Sequence, residues 1–255
     1  MLLAIDVGNT NINLAVFAGE EIAAKWRVAT IDNRTADEYI ALITQLMSNS
    51  EIRPKDIGDI IISSVVPPIM MHINKMCRIL FNKDPLIIGK NIHPKIKVEI
   101  DNPDELGSDR IVNSISTARM FGAPAIIIDF GTATTFDVVD AEGAYIGGVI
   151  APGINLSLNA LYEFAAKLPS VPVEKPEHVL GKSTRAAMQS GIFWGYIGLV
   201  EGLVKRLSDE LGVTPKIIAT GGLAPLFAES TQVISKIEPD LTILGLKEIF
   251  DNRGN

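Results

Sequence analysis

The stretch "IDVGNT" occupies residues 5–10, and "IDFGTA" occupies residues 128–133. The second phrase nearly repeats the first. Their Asp and Gly keep one offset, since 129 − 6 and 131 − 8 both give 123. Each phrase ends a short apolar run, Leu2–Val7 in one half and Ala125–Phe130 in the other. Short apolar runs closed by Gly read as buried strands. Asp and Gly after a strand also make a common turn, so the phrase alone can repeat by coincidence. The matched order of elements after each phrase argues against coincidence.

In the first half two more strands are expected, at 13–17 and 22–28, joined by the turn "AGEE". "TADEYIALITQLM" then opens with Thr35 and Glu38 in a capping box, and Tyr39, Ile40, Ile43, Leu46 and Met47 form a helical stripe. "DIIISSVVPP" is a buried strand ended by Pro67 and Pro68. A helix carrying Ile69, Ile73, Met76, Ile79 and Leu80 comes next, then a short strand at 86–88. A connector broken by Pro and Gly, with a short strand near 96–100, leads to a helix at 110–120. The second half repeats the order. Strands are expected at Ala125–Phe130, 134–140 and 145–150, then a helix at Ile154–Phe164. A proline-rich loop, "KLPSVPVEKPEHVLGKS", precedes a long helix at Thr184–Leu211. The strand Lys216–Thr220 ends in Gly221-Gly222, and a helix-strand pair and a final helix near 245–250 finish the chain. The reading is a duplicated α/β fold, with domains at 1–118 and 119–255. The final helix can also pack back on the first domain.

Composition narrows the function classes. Hydrophobic residues are 47% and charged residues 21%, enough apolar material for a core and too little charge for wholesale disorder. Net charge is −7 and the Lys and Arg residues are scattered, so no nucleic-acid partner is expected. The single cysteine, Cys77, cannot form an internal disulfide, and zinc spacings are absent. His72, His93 and His178 are far apart, which gives metal hydrolase chemistry little support. The start "MLLAIDVG" lacks a basic segment before its apolar run, and no apolar run reaches membrane-spanning length. A cytoplasmic protein with no membrane partner is the expectation.

A strand ending in Asp-x-Gly can approach phosphates closely, because Gly admits a tight turn. The Asn and Thr after it offer side-chain and backbone donors to phosphate oxygens. The Asp repels a phosphate unless a cation or its water shell lies between them. Two such hairpins facing each other would clamp a triphosphate. A Walker A motif and a GxGxxG after a strand are both missing. The pair points to the actin, sugar kinase and Hsp70-like (ASKHA) ATPase fold, with a nucleotide cleft between duplicated domains.

Further motifs occur in order: "SSVVPP" at 63–68, "DNPDELGSDRIVN" at 101–113, "DFGTATT" at 129–135, "GGVIAPGI" at 147–154, "GKSTRAAMQSGIFWG" at 181–195 and "ATGG" at 219–222. With "DVGNT" at 6–10, this set resembles the type III pantothenate kinases over essentially the whole chain. The resemblance implies ATP-dependent phosphorylation of pantothenate to 4'-phosphopantothenate, the first step of coenzyme A biosynthesis, and a homodimer. The apolar helix Thr184–Leu211 is the candidate for dimer contacts.

The resemblance also implies site residues. Asp109 in "GSDR" falls on the family's proton acceptor, and no His or Cys constellation competes with it; the plainer alternative is an Asp that favours a helix N-terminus. Arg110 can bind an anionic group or make a surface ion pair. Asp6, Val7, Gly8, Asn9, Thr10, Asn11, Ile12 and Asn13 resemble the first ATP loop, and Thr132 a phosphate contact. Asp129 resembles the ligand of a monovalent cation, K⁺ or NH₄⁺, alongside Mg²⁺; as single residues, Asp6 and Asp129 could equally cap turns. Substrate contacts are implied for Ile100, Gly107, Ser108, Asp109, Arg110 and Thr184. Thr184 can instead cap the long helix, and Gly221-Gly222 can be a nucleoside contact or a plain turn. Ile100 stands where the family usually has an aromatic residue, so aromatic contact geometry is lost. Ser108 stands where Ala is commoner, and this reads as a minor change. Two other classes fit the hairpin pair: a kinase of the same fold acting on a sugar or amino sugar, and a non-catalytic ATP-binding regulator.

Overall fold

The computed structural model of the chain describes residues 1–164 and 169–253. Lys167 and Leu168, which open the expected proline-rich loop, lie outside those residues. The elements in chain order are β1 (Leu2–Val7), β2 (Asn11–Ala18), β3 (Glu21–Ala29), α1 (Ala36–Asn49), β4 (Asp59–Ser64), α2 (Met70–Phe81), β5 (Leu86–Ile87) and α3 (Ser108–Met120). They continue with β6 (Ala125–Phe130), β7 (Ala133–Val139), β8 (Tyr145–Pro152), α4 (Ile154–Phe164), α5 (Thr184–Leu211), β9 (Lys216–Thr220), α6 (Ala224–Ala228), β10 (Lys236–Ile237) and α7 (Leu241–Asp251). Among the described residues no helix is long and apolar enough to cross a membrane.

These strands form two five-stranded sheets, ordered β3-β2-β1-β4-β5 and β10-β9-β6-β7-β8. In each, the first strand of the half pairs antiparallel with the second and parallel with the fourth. The two orders are the same order, so the duplication extends from three matched letters to the hydrogen-bond ladder. The repeat is imperfect at one point. Asp6 pairs with Asn13, whereas Asp129 pairs with Thr135, so the second hairpin is one residue tighter.

In the first unit, side-chain alternation decides what each face covers. Leu3, Ile5 and Val7 of β1 point to the face packed by Tyr39, Ile43 and Met47 of α1 and Ile73, Met76 and Phe81 of α2. Leu2 and Ala4 point the other way, against Val112 and Ile115 of α3 and Ile243, Leu246 and Ile249 of α7. Thr35 caps α1 as its sequence requires: its Oγ accepts from Glu38 N–H at 3.3 Å, and its own N–H donates to Glu38 Oε2 at 2.7 Å. In the second unit, Ile126, Ile128 and Phe130 of β6 share a core with Phe193, Tyr196, Ile197 and Val200 of α5 and Phe227 of α6.

The unit boundaries depart from a single cut at 118/119. One unit holds Met1–Ile96, Asn102–Ser116 and the chain from Leu241, while the other holds Lys97–Asp101 and Thr117–Asp240. The cause is burial. The apolar stripe of α7 finds its apolar face on the first sheet, not on the sheet next to it in sequence. The strand expected near 96–100 is reduced to one bridge, Val98 to Tyr145, tied by Tyr145 N–H to Lys97 O and Glu99 N–H to Tyr145 O, both 2.8 Å. The prolines before and after it deny a longer ladder.

Candidate active site

In the first unit the site grows from one row across the sheet. Asp6 is in register with Asn13 on one side and Ser63 on the other. Alternation turns all three toward the face covered by α3 and α7. Asn13 Nδ2 donates to Asp6 Oδ2 at 3.3 Å, and Arg27 Nε donates to Asn13 Oδ1 at 3.0 Å. Arg27 thus fixes which end of the Asn13 amide meets the carboxylate. Burial pushes the Asp6 pKa from 3.8 up to about 7; the Asn13 bond lowers it and the charge of Asp109 raises it further. Two carboxylates therefore sit close enough to feel each other.

Asp109 is the second residue of α3. Its Oδ1 accepts the Arg110 N–H at 2.8 Å. Burial raises its pKa, and the Arg110 bond and charge hold the rise back. Gly107 makes room for this carboxylate, because a Cβ there would lie 2.6 Å from Asp109 Oδ1. Ser108, the residue between them, bonds through its hydroxyl to Ser63 Oγ at 2.9 Å and to both the N–H and the C=O of Ser64 at 3.0 Å.

The first hairpin tip is held by Thr30, the residue after β3. Gly8 N–H donates to Asn11 O at 3.0 Å, Thr30 Oγ donates to Gly8 O at 2.7 Å, and Thr30 N–H donates to Thr10 O at 2.9 Å. Asn9 and Thr10 are exposed at the tip. Val7 and Ile12 are fully buried in the core, so any ligand contact from them is through backbone. Arg27, Thr30 and Ser63 lie outside the residues expected from the sequence. The strand register would have found Ser63, but no local pattern marks Arg27 or Thr30.

The second unit builds the matching row: Asp129 is in register with Thr135 and Thr220. Two glycines bring backbone against it. Gly221 has φ +90°, and a Cβ there would meet Asp129 Oδ1 and Phe130 O, each at 2.7 Å. Gly153, at the start of α4, would place a Cβ 2.1 Å from Thr132 O. Backbone packs directly against Asp129 and the Thr132 tip, so neither position has room for a side chain. Close packing at the end of β9 is thereby a sufficient reason for Gly221, while Gly222 is exposed.

The expected substrate residues are distributed. Gly107, Ser108, Asp109 and Arg110 stand together in the first unit, and Ile100 and Thr184 belong to the second. Ile100 and Arg110 are half-buried. Thr184 is exposed and is not the cap of α5: Ser183 Oγ accepts from Ala186 N–H at 3.2 Å. The apolar stripe of α5, with Phe193, Tyr196, Ile197, Val200 and Val204, is spent inside its own unit. Ile150, Leu156, Leu161, Val179 and Leu180 are among the exposed large apolar side chains of the described residues.

Comparison with known proteins gives a consistent result. A family model described as type III pantothenate kinase matches residues 2–206. A protein of Paramagnetospirillum magneticum named type III pantothenate kinase is 51% identical over 250 residues, covering 98% of this chain and 96% of that one. Among solved structures, a Campylobacter jejuni protein named as a Baf family transcriptional activator aligns with a TM-score of 0.63 at 19% identity, covering 99% of each chain. A Sinorhizobium meliloti protein named as a 2-dehydro-3-deoxygalactonokinase aligns with a TM-score of 0.59 at 10% identity, covering 98% of each. At those identities the structures speak to the fold, which is the duplicated two-domain α/β fold of the ASKHA kinases.

Proposed function

The chain belongs to the type III pantothenate kinase family, and from that membership we propose how its own residues divide the labour of phosphoryl transfer. The activity is ATP-dependent phosphorylation of pantothenate, which feeds coenzyme A biosynthesis. The observation that carries it is 51% identity along nearly the full length of a relative of that name.

Asp109 is the general base. It takes the proton of the pantothenate hydroxyl as that oxygen attacks the γ-phosphorus of ATP, the bond from that phosphorus to the β,γ-bridging oxygen breaks, and ADP leaves. A carboxylate raised by burial suits this task, because base catalysis improves as the pKa of the base nears the working pH. Gly107 leaves room for the carboxylate where it stands, and Arg110 holds an anionic part of the substrate. The hairpin tips, Gly8 to Thr10 and Thr132, offer donors to phosphate oxygens.

Asp6 is the residue that would hold Mg²⁺ or its waters. Two mutually repelling carboxylates suit a divalent cation, and Asn13 keeps one Asp6 oxygen oriented. Among the described residues no three metal-ligating side chains form a cage, and Mg²⁺ needs none when phosphates and waters complete its shell. Bound Mg²⁺ supplies charge neutralisation on the phosphates. Asp129, packed beside Gly221 and the Phe130 carbonyl, is the proposed position for K⁺ or NH₄⁺. A homodimer is proposed with it, supported by exposed apolar side chains on α4, on β8 and at residues 179–180 that a second copy would bury.

The test is incubation of the protein with ATP, Mg²⁺ and pantothenate, with and without K⁺, and mass detection of phosphopantothenate. The expected result is product from pantothenate alone among a small panel of alcohols. Product from a sugar or amino sugar but not from pantothenate would overturn it.

A further inference from the structure

We propose that Ser108 is a positioning residue that docks the start of α3 onto the open end of β4 and so aims Asp109; this rests on Asp109 as the base. Parallel pairing between β4 and β5 ends early. Ile62 is paired with Ile87, Ile88 N–H donates to Ile62 O at 2.9 Å, and the chain then turns away at Gly89, φ +77°. The N–H and C=O of Ser64 point the same way as those of Ile62, two residues earlier. Among the described residues no strand remains there to receive them.

The Ser108 hydroxyl takes the place of that strand. It donates to Ser64 O and accepts from Ser64 N–H, both at 3.0 Å. Its one proton is then used, so the 2.9 Å contact with Ser63 has Ser63 as donor. All the bonding capacity of the hydroxyl goes to the end of β4. Ser63 is in register with Asp6, and Asp109 follows Ser108 at once on α3. One side chain thereby ties the helix bearing the proposed base to the strand row bearing Asp6. An alanine, commoner at this position in the motif that the chain resembles, would remove all three of these bonds between the helix start and the end of β4.

The test is a kinetic comparison in two backgrounds. Ser108→Ala is expected to lower kcat roughly tenfold, since small misplacements of a catalytic group are costly, while the KM for ATP stays within about twofold. Ser108→Thr, which keeps the hydroxyl, should recover most of kcat. In an Asp109→Asn background, Ser108→Ala should cost nothing further, because a residue acting through Asp109 has nothing left to aim. Equal loss in both backgrounds, or full kcat in the folded Ser108→Ala protein, overturns the assignment. Should Ser108→Ala fail to fold, Ser63→Ala removes one of the three bonds and carries the same comparison at smaller amplitude; a loss that persists beside Asp109→Asn overturns it as well. Near wild-type turnover in Asp109→Asn alone is a separate outcome, and it rejects the base rather than the docking contact.

Discussion

Asp6 and Asp109 show what withdrawal from water does to a carboxylate. Their consequences differ. Asp109→Asn removes a base but keeps shape, so turnover should fall by about 10²- to 10⁴-fold, with ATP binding by calorimetry unchanged; near-normal turnover would return Asp109 to helix-end duty. Asp6 makes a stability prediction. Its folded-state value of about 7 lies above the ordinary 3.8, so the folded chain holds that proton more tightly than the unfolded chain. The stability this provides is complete below pH 3.8 and is lost as pH rises through about 7. Asp6→Asn carries no such loss. In ligand-free protein its Tm advantage over the wild type should widen between pH 4 and 7 and level off above, as read by melts across that range. A constant difference would mean that Asp6 titrates as an ordinary surface carboxylate. The same variant should turn over poorly, because the cation that offsets the carboxylate pair loses its partner.

Elements behave as paired solutions to one problem. Each half presents a tight hairpin with an Asp at the strand end, yet the surroundings differ: Asn13 and Asp109 act on Asp6, whereas Gly221 and Phe130 O crowd Asp129. The proposed roles are correspondingly different. Asp129→Ala should weaken nucleotide binding and abolish the K⁺ response together, while Asp6→Asn should keep that response. Activity titrated with KCl against choline chloride at constant ionic strength distinguishes them, and equal activity in both salts would remove the cation from Asp129. The crossing of α7 over α3 offers a second test at this scale. A Cβ at Gly245 would lie 2.6 Å from Val112 Cγ1 and 2.8 Å from Val112 O. Backbone cannot yield as a side-chain tip can, so Gly245→Ala should destabilise by about 1–3 kcal/mol in urea unfolding. An unchanged midpoint would show that the helices slide apart freely.

At the scale of the whole molecule, the exposed Ile150, Leu156, Leu161, Val179 and Leu180 should be covered by a second copy. Light scattering should give twice the mass of 27.5 kDa, and Leu180→Asp with Leu156→Asp should shift it toward the monomer; a wild-type monomer at micromolar concentration would refute the interface. What the sequence by itself determined was local and periodic. Apolar runs, the Thr35–Glu38 capping box, the bounds of α4, α5 and β9, and the repeated Asp and Gly were all legible, because each depends on neighbours within a few residues. The motif string also led to the family. Only the tertiary structure decided three matters. It assigned α7 to the first sheet, because an amphipathic stripe specifies that it needs an apolar face but not which one. It transferred the cap of α5 from Thr184 to Ser183, a choice set by backbone angles at the helix start. And it turned Ser108 from a minor replacement into the partner of an unfinished strand, since its bonds reach back 44 and 45 residues to groups exposed by the early end of β5, and no spacing in the chain records where a neighbouring strand stops.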